Sequence, residues 1–85
     1  MKTFQYTIKD QNGIHARPAG IIVRELEKFK STATITKNGT SANLKRLFSL
    51  MALNVKCGDT VEIVVTGPDE NQAVEKLNEL FSENL

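Results

Sequence analysis

The chain has 85 residues, a formal net charge of +1 and a single cysteine, Cys57. This length predicts one domain over residues 1–85 that folds without disulfides, and the near-neutral charge argues against a nucleic-acid binder with a broad basic surface. The first residues lack the apolar run of a signal peptide, and no stretch reaches the ~20 apolar residues of a membrane span. We therefore expect a cytoplasmic protein without direct membrane insertion.

The first third of the chain predicts a strand and then a helix. Apolar and polar residues alternate over 3–9, as in a strand with one buried face, and a turn cluster follows at 10–13. From 16 to about 28 the apolar residues recur at helical spacing. Pro18 is tolerated in the first turn because N–H groups there have no helical partner. His15 is therefore expected at or next to the N-cap.

The middle of the chain predicts a hairpin and a short helix. Residues 32–37 alternate, and Asn38-Gly39 follows them as a strong hairpin signal, because both residues accept the positive φ of a type I′ turn. Residues 40–43 form the predicted return strand. Over 44–53 the apolar residues spread around most of a short helix, so part of its apolar surface should stay exposed.

The last third predicts a strand over 60–66 and a helix with an apolar stripe at 73–81. Asp69 and Gln72 resemble a capping box at the start of this helix. The outward positions of the strands are largely polar, which antiparallel sheets permit on one face. We therefore predict an α+β, open-faced β-sandwich of order βαββαβα, with three helices on one face of a four-stranded antiparallel sheet.

His15 is the only histidine, and Arg17 follows two residues later. A helix N-terminus offers unpaired N–H groups and a partial positive charge, which together attract anions. This environment disfavours the imidazolium, so a neutral, nucleophilic ring is expected. A phosphoryl group on it would meet the N–H groups of Ala16 and Arg17 and the Arg17 guanidinium. The residues alone support phosphoryl transfer and simple helix capping about equally.

The segment Gly13-Ile14-His15-Ala16-Arg17-Pro18-Ala19 closely resembles the active-site signature of the HPr family, the histidine phosphocarriers of the bacterial phosphoenolpyruvate:sugar phosphotransferase system. Residues 44–53 resemble the family's short middle helix, and the resemblance covers essentially the whole chain. It implies a sheet order of 1-4-2-3.

The same resemblance implies a phosphocarrier cycle. Phospho-Enzyme I would transfer a phosphoryl group to Nδ1 of His15, and His15 would pass it to sugar-specific IIA proteins or domains in sugar uptake. Arg17 and the backbone N–H of Ala16 would stabilise the phosphorylated state. We expect a monomeric carrier rather than a stand-alone enzyme, with no bound metal or cofactor.

The partner-binding surface implied by the resemblance combines apolar and basic residues: Pro18, Gly20, Arg24, Lys45, Arg46, Leu47, Phe48 and Met51. The cations of this set, with Arg17, would form a positive rim that favours acidic partners and fast encounter. Leu47 and Phe48 should be at least partly exposed, whereas Leu50 and Leu53 should pack in the core.

Arg46 is a departure from the pattern of many family members. In HPr proteins of low-GC Gram-positive bacteria, a serine at the matching position is phosphorylated by a regulatory kinase. Arginine has no hydroxyl group, so the regulatory serine is absent from this position.

Two other functions compete with the phosphocarrier hypothesis. A regulatory HPr-like protein without phosphate transfer would lack the active histidine, which this chain has at His15. A ligand- or RNA-binding domain would need a pocket, or stacking aromatic residues on the open sheet face. Thr34, Thr36 and Glu62 are expected on that face, which gives the second alternative little support.

Overall fold

The computed structural model describes residues 1–85 and contains four strands and three helices. The strands are β1 (Lys2–Thr7), β2 (Thr32–Lys37), β3 (Thr40–Asn43) and β4 (Thr60–Thr66). The helices are α1 (Ala16–Leu26), α2 (Leu47–Ala52) and α3 (Glu70–Asn84). The strands form one antiparallel sheet in the order β1-β4-β2-β3. The predicted open-faced α+β sandwich and its sheet order are confirmed.

The core lies between one face of the sheet and the helices. Alternate residues of β2 and β4 and the apolar stripes of α1 and α3 are buried there, because period-two and helical spacing each place apolar side chains on one side. Alternate residues of β1 are half-buried against the same core. Phe81 of α3 contacts Phe4 and Tyr6 edge-to-face, at ring-centroid distances of 5.8 and 5.5 Å. No strand therefore places an aromatic ring on the open face, where Thr34 and Glu62 are exposed.

The β2–β3 hairpin has the predicted turn. Asn38 has a φ of 50° and Gly39 a φ of 82°, so both adopt the left-handed conformation that a type I′ turn requires. Lys37 pairs with Thr40 on either side of this turn.

Helix α2 begins at Leu47, so the prediction of a helix from residue 44 was wrong at its N-terminal end. The side chain of Leu44 is fully buried, and its N–H donates to the Ala33 carbonyl at 2.9 Å. Asn43 then forms a turn, because its side chain accepts from Lys45 N–H at 2.8 Å and its carbonyl accepts from Arg46 N–H at 3.0 Å. Leu44 thus belongs to the sheet side of the connection, and apolar periodicity alone does not distinguish this from a helical turn.

Asp69 precedes α3, but the predicted capping box with Gln72 does not form, because Asp69 makes no capping hydrogen bond and Gln72 is exposed. The Asp69 carboxylate accepts hydrogen bonds from Ser31 Oγ, from Lys30 N–H at 2.8 Å and from Ser31 N–H at 2.9 Å. The Ser31 hydroxyl first, and then these N–H groups, hold the pKa of Asp69 below its usual range. Asp69 therefore ties the start of α3 to the α1–β2 connection.

We predict that Asp69→Asn lowers the thermal unfolding temperature by several degrees at pH 7. A carboxylate whose pKa is depressed in the folded state stabilises the fold above its unfolded pKa of ~4 and stops doing so as the pH falls through the folded value. The difference from the native protein should therefore shrink below about pH 4. Thermal scans from pH 7 to pH 3 measure this. Glu62→Gln, on the exposed sheet face, is the control and should behave like the native protein.

Candidate functional site

The connection between β1 and α1 is held against the segment that joins α2 to β4. Within it, Gly13 N–H donates to the Asp10 carbonyl at 3.0 Å, and Ile14 N–H donates to the Val55 carbonyl at 3.0 Å. Gly13 has a φ of 63°, and a Cβ atom there would lie 2.2 Å from the Val55 carbonyl oxygen. Only glycine satisfies both the conformation and the close approach. The backbone just before α1 is therefore firmly placed.

His15 is the N-cap residue of α1, as predicted. Its backbone is extended, with φ −106° and ψ −175°, and its carbonyl accepts from Ala19 N–H at 3.0 Å. Its side chain is half-buried and makes no capping hydrogen bond. The ring is thus placed at the helix start by its backbone alone, which leaves both imidazole nitrogens available for chemistry.

Two backbone donors remain open beside this ring. The N–H groups of Ala16 and Arg17 form no hydrogen bond within the protein, Pro18 has no N–H, and the N–H of Ala19 is already bonded to His15. A helix start with free N–H groups and its positive dipole end stabilises an anion. The exposed Arg17 side chain has no ion-pair partner and adds a cation at the same place.

His15 and Arg17 share an open depression with the end of α3. Its lining includes two carboxylates, Asp10 and Glu83, as well as Asn84. The depression therefore has mixed charge rather than the concentrated positive charge of a tight anion trap. No three His, Cys, Asp or Glu side chains lie close enough together to hold a metal ion.

An apolar patch lies on α2, which packs beside α1. Phe48 is 83% exposed, and Leu47 and Met51 are half-buried. Leu50 and Leu53 are buried in the core. The expected division of this helix between core and surface is confirmed. We call Leu47, Phe48 and Met51 the α2 patch.

The cations predicted around this patch differ in their surroundings. Arg24 and Arg46 are exposed and make no ion pair, and the same is true of Arg17. Lys45 departs from the expectation, because it is half-buried and its Nζ donates to the Phe29 carbonyl at 2.7 Å. The Lys45 ammonium group is therefore bonded to a carbonyl just after the end of α1 and does not contribute a free cation to the proposed rim.

The two remaining residues of the predicted surface lie in the first turns of α1. Pro18 is buried, so its ring offers little surface to a partner and instead sets the first helical turn. Gly20 is half-buried, and its missing side chain leaves open space within 4 Å. These positions allow a close approach to the helix rather than supplying contact area of their own.

No sequence pattern predicted that residues near 55 support the backbone before His15. Val55 and the turn at 56–59 lie about forty positions away along the chain, and no local pattern connects them to Gly13. The only available signal was Gly13, a glycine that ends the turn cluster and begins the signature. No helix of the chain is both long and apolar enough to cross a membrane.

Comparison with known proteins identifies the family. The family model PTS-HPr, described as the PTS HPr component phosphorylation site, matches residues 2–83. The phosphocarrier protein HPr of Mycoplasma genitalium is 39% identical over 85 residues, which cover 99% of this chain and 97% of the relative.

Comparison with solved structures identifies the same family. A Mycoplasma histidine-containing phosphocarrier protein superposes with a TM-score of 0.94 at 34% identity, covering 96% of this chain and 93% of that one. A dimer of HPr from Thermoanaerobacter tengcongensis also matches, with a TM-score of 0.77 at 34% identity, covering 98% and 95% of the two chains. The matched family model spans nearly the whole chain and includes the segment that carries His15. By sequence and by fold, this chain belongs to the HPr family of phosphocarrier proteins of the phosphotransferase system.

Proposed function

We propose that this chain, acting as one domain over residues 1–85, accepts a phosphoryl group from phospho-Enzyme I on His15 and passes it to sugar-specific IIA proteins or domains in sugar uptake. The observation that carries the proposal is the pair of open N–H groups on Ala16 and Arg17, next to an imidazole that makes no capping bond. His15 and the N–H groups of Ala16 and Arg17 lie within one turn of the same helix, so we propose that a monomer suffices for transfer.

The transfer requires no proton movement at the histidine. In the neutral ring with a proton on Nε2, the Nδ1 lone pair attacks phosphorus, and the new P–N bond forms as the bond between phosphorus and Enzyme I breaks. The Nε2 proton stays in place. The transferred group brings negative charge to the start of α1, where the N–H groups of Ala16 and Arg17 and the Arg17 guanidinium stabilise it. Reversal of the same step delivers the group to the IIA acceptor.

The partner surface is the α2 patch with Arg17, Arg24 and Arg46 around it. Exposed apolar side chains on a small domain mark a contact surface, and unpaired cations speed the approach of an acidic partner. Donor and acceptor must each face His15, so we propose that both bind this surface in turn. A small apolar patch with a charged rim suits brief encounters, which repeated transfer needs.

We predict that the intact protein gains one acid-labile, alkali-stable phosphoryl group when it is incubated with Enzyme I, Mg²⁺ and phosphoenolpyruvate. His15→Ala should abolish the gain, because the chain has no other histidine. Arg17→Met removes a charge-assisted contact worth ~1.5–3 kcal/mol, so transfer should slow by ~10- to 100-fold. Intact-protein mass spectrometry and quenched-flow labelling measure both. Asn78→Ala, on the exposed side of α3, is the control; labelling of His15→Ala would refute the assignment.

Substitutions at Phe48 and Leu50 of α2 should separate an effect on partner binding from an effect on folding stability. Phe48→Ala removes an exposed ring, so the free energy of unfolding should change by less than ~0.5 kcal/mol, while the KM for Enzyme I rises ~10-fold. Leu50→Ala leaves a cavity in the core and should cost ~2–5 kcal/mol of stability. Urea unfolding and steady-state transfer assays give the two quantities. An unchanged KM in the Phe48 variant would remove α2 from the proposed surface.

Arg46 should make this carrier insensitive to control by serine phosphorylation. Because arginine has no hydroxyl acceptor, incubation with ATP and an HPr kinase should leave the mass unchanged, and Arg46→Ser should be the variant that becomes a substrate. Mass spectrometry after acid treatment separates phosphoserine from phosphohistidine. Stoichiometric, acid-stable phosphorylation of the native protein would contradict this prediction.

A further inference from the structure

We infer that the ion pair between Lys37 and Asp59 positions His15 for phosphoryl transfer, although neither residue belongs to the site or to the partner surface. The inference rests on the proposed function of His15. It follows from an unbroken series of contacts that runs from this pair, through the segment of residues 54–59, to the start of α1.

Asp59 organises the turn at 56–59. Its Oδ2 accepts a hydrogen bond from Lys56 N–H at 2.8 Å and lies 2.9 Å from Lys37 Nζ. Its carbonyl accepts from Ile8 N–H at 2.9 Å, directly after β1. The Lys56 N–H first, and then Lys37, hold the pKa of Asp59 below its usual range, so its carboxylate is charged at neutral pH. One residue thus joins the turn, the end of β2 and the end of β1.

Lys37 holds the other end of the same segment. Its Nζ donates to the carbonyl of Asn54 at 2.8 Å as well as to Asp59, and its side chain is only 18% exposed. Asn54 follows α2 in the left-handed conformation, with a φ of 57°, which asparagine tolerates better than most residues. The lysine therefore bridges residues 54 and 59 and holds the segment between them in one shape.

The segment in turn places the residues just before His15. The Val55 carbonyl accepts the N–H of Ile14, and Gly13 packs so closely that a Cβ atom would lie 2.2 Å from Val55 O and 2.7 Å from Lys56 Cα. The Ile14 side chain is buried. Gly13 and residues 55–56 are therefore already in the closest packing that the backbone allows. A shift of residues 54–59 would therefore move Ile14, and with it the N-cap residue that follows.

The expected effect is on the transfer step rather than on binding. Phosphoryl transfer depends on the alignment of attacking nitrogen, phosphorus and leaving group, and a displacement of about 1 Å costs up to ~100-fold in rate. Lys37 and Asp59 lie outside the α2 patch and the arginines around it. Their loss should lower the kcat of transfer, while the KM of Enzyme I for this chain stays nearly constant.

The test compares Lys37→Met with Lys76→Met in the native full chain. Lys76 is also a partly buried lysine that pairs with carboxylates, Glu25 and Glu79, but it lies on α3 away from residues 54–59. At a temperature well below unfolding, Lys37→Met should lower kcat ~10-fold with KM within about twofold, whereas Lys76→Met should keep both. Lys37→Arg restores a cation at this position and should recover part of the rate.

A second measurement separates positioning from general stability. The amide and imidazole NMR signals of Ile14 and His15 should shift in Lys37→Met and stay in place in Lys76→Met. Asp59→Asn keeps an acceptor for Lys56 N–H, so it is the variant to measure if Lys37→Met does not fold. Combining Lys37→Met with Asp59→Asn should cost less than the sum of the two single effects, because both remove the same ion pair.

The outcomes are distinct. If the native protein is phosphorylated but folded Lys37 and Asp59 variants keep native kcat and unshifted Ile14 and His15 signals, the positioning role is wrong and the proposed function stands. If KM rises while kcat is unchanged, the pair acts on partner binding and the inference also fails. If the native protein is never phosphorylated by Enzyme I, the proposed function itself fails.

Discussion

The placement of His15 depends on one backbone contact, between Gly13-Ile14 and Val55. The hydrogen bond from Ile14 to Val55 and the absence of a Cβ atom at Gly13 bring two distant segments into direct contact. Helix α1 starts two residues later, so the direction of its first turn and of its free N–H groups follows from this contact. A loop that carries a reactive group usually needs such support from a rigid scaffold.

The proposed site combines features that attract a phosphoryl group with features that favour its release. The helix start and Arg17 favour the bound anion, whereas Asp10 and Glu83 in the same depression oppose it. Arg17 is exposed and unpaired, so its contact with a bound phosphoryl group would be open to solvent and weaker than a buried ion pair. A carrier must give up what it accepts, and an open site of mixed charge suits that requirement better than a deep cationic pocket.

The surface near His15 is divided between residues that stabilise the fold and residues that stay exposed and unpaired. Leu50 and Leu53 pack inward, whereas Phe48 on the same helix is almost fully exposed. Lys45 resembles the neighbouring arginines in charge, but its ammonium group is bonded to the carbonyl of Phe29, just after the end of α1. Charge and position along the chain are therefore insufficient to assign a residue to the partner surface, because the assignment depends on which acceptor lies within reach.

The sequence by itself determined what depends on neighbours along the chain. Alternation predicted the strands, helical spacing predicted α1 and α3, and the left-handed preference of Asn38-Gly39 predicted the hairpin turn. The apolar spacing together with Pro18 predicted that His15 lies at a helix start. These features require only interactions within a few residues, together with a requirement to bury one face.

Only the tertiary structure decided the long-range partners. Asp69 bonds to Ser31 rather than capping its own helix, and Leu44 enters the core rather than a helical turn. Lys37 pairs with Asp59, in the segment that contacts Gly13 and Ile14. Each side chain had a local alternative that its sequence neighbours permit, such as a capping bond, another helical turn or a solvated charge. The packed fold decided among these alternatives because it brought particular donors, acceptors and cavities within reach, and that proximity is not encoded in any short stretch of sequence.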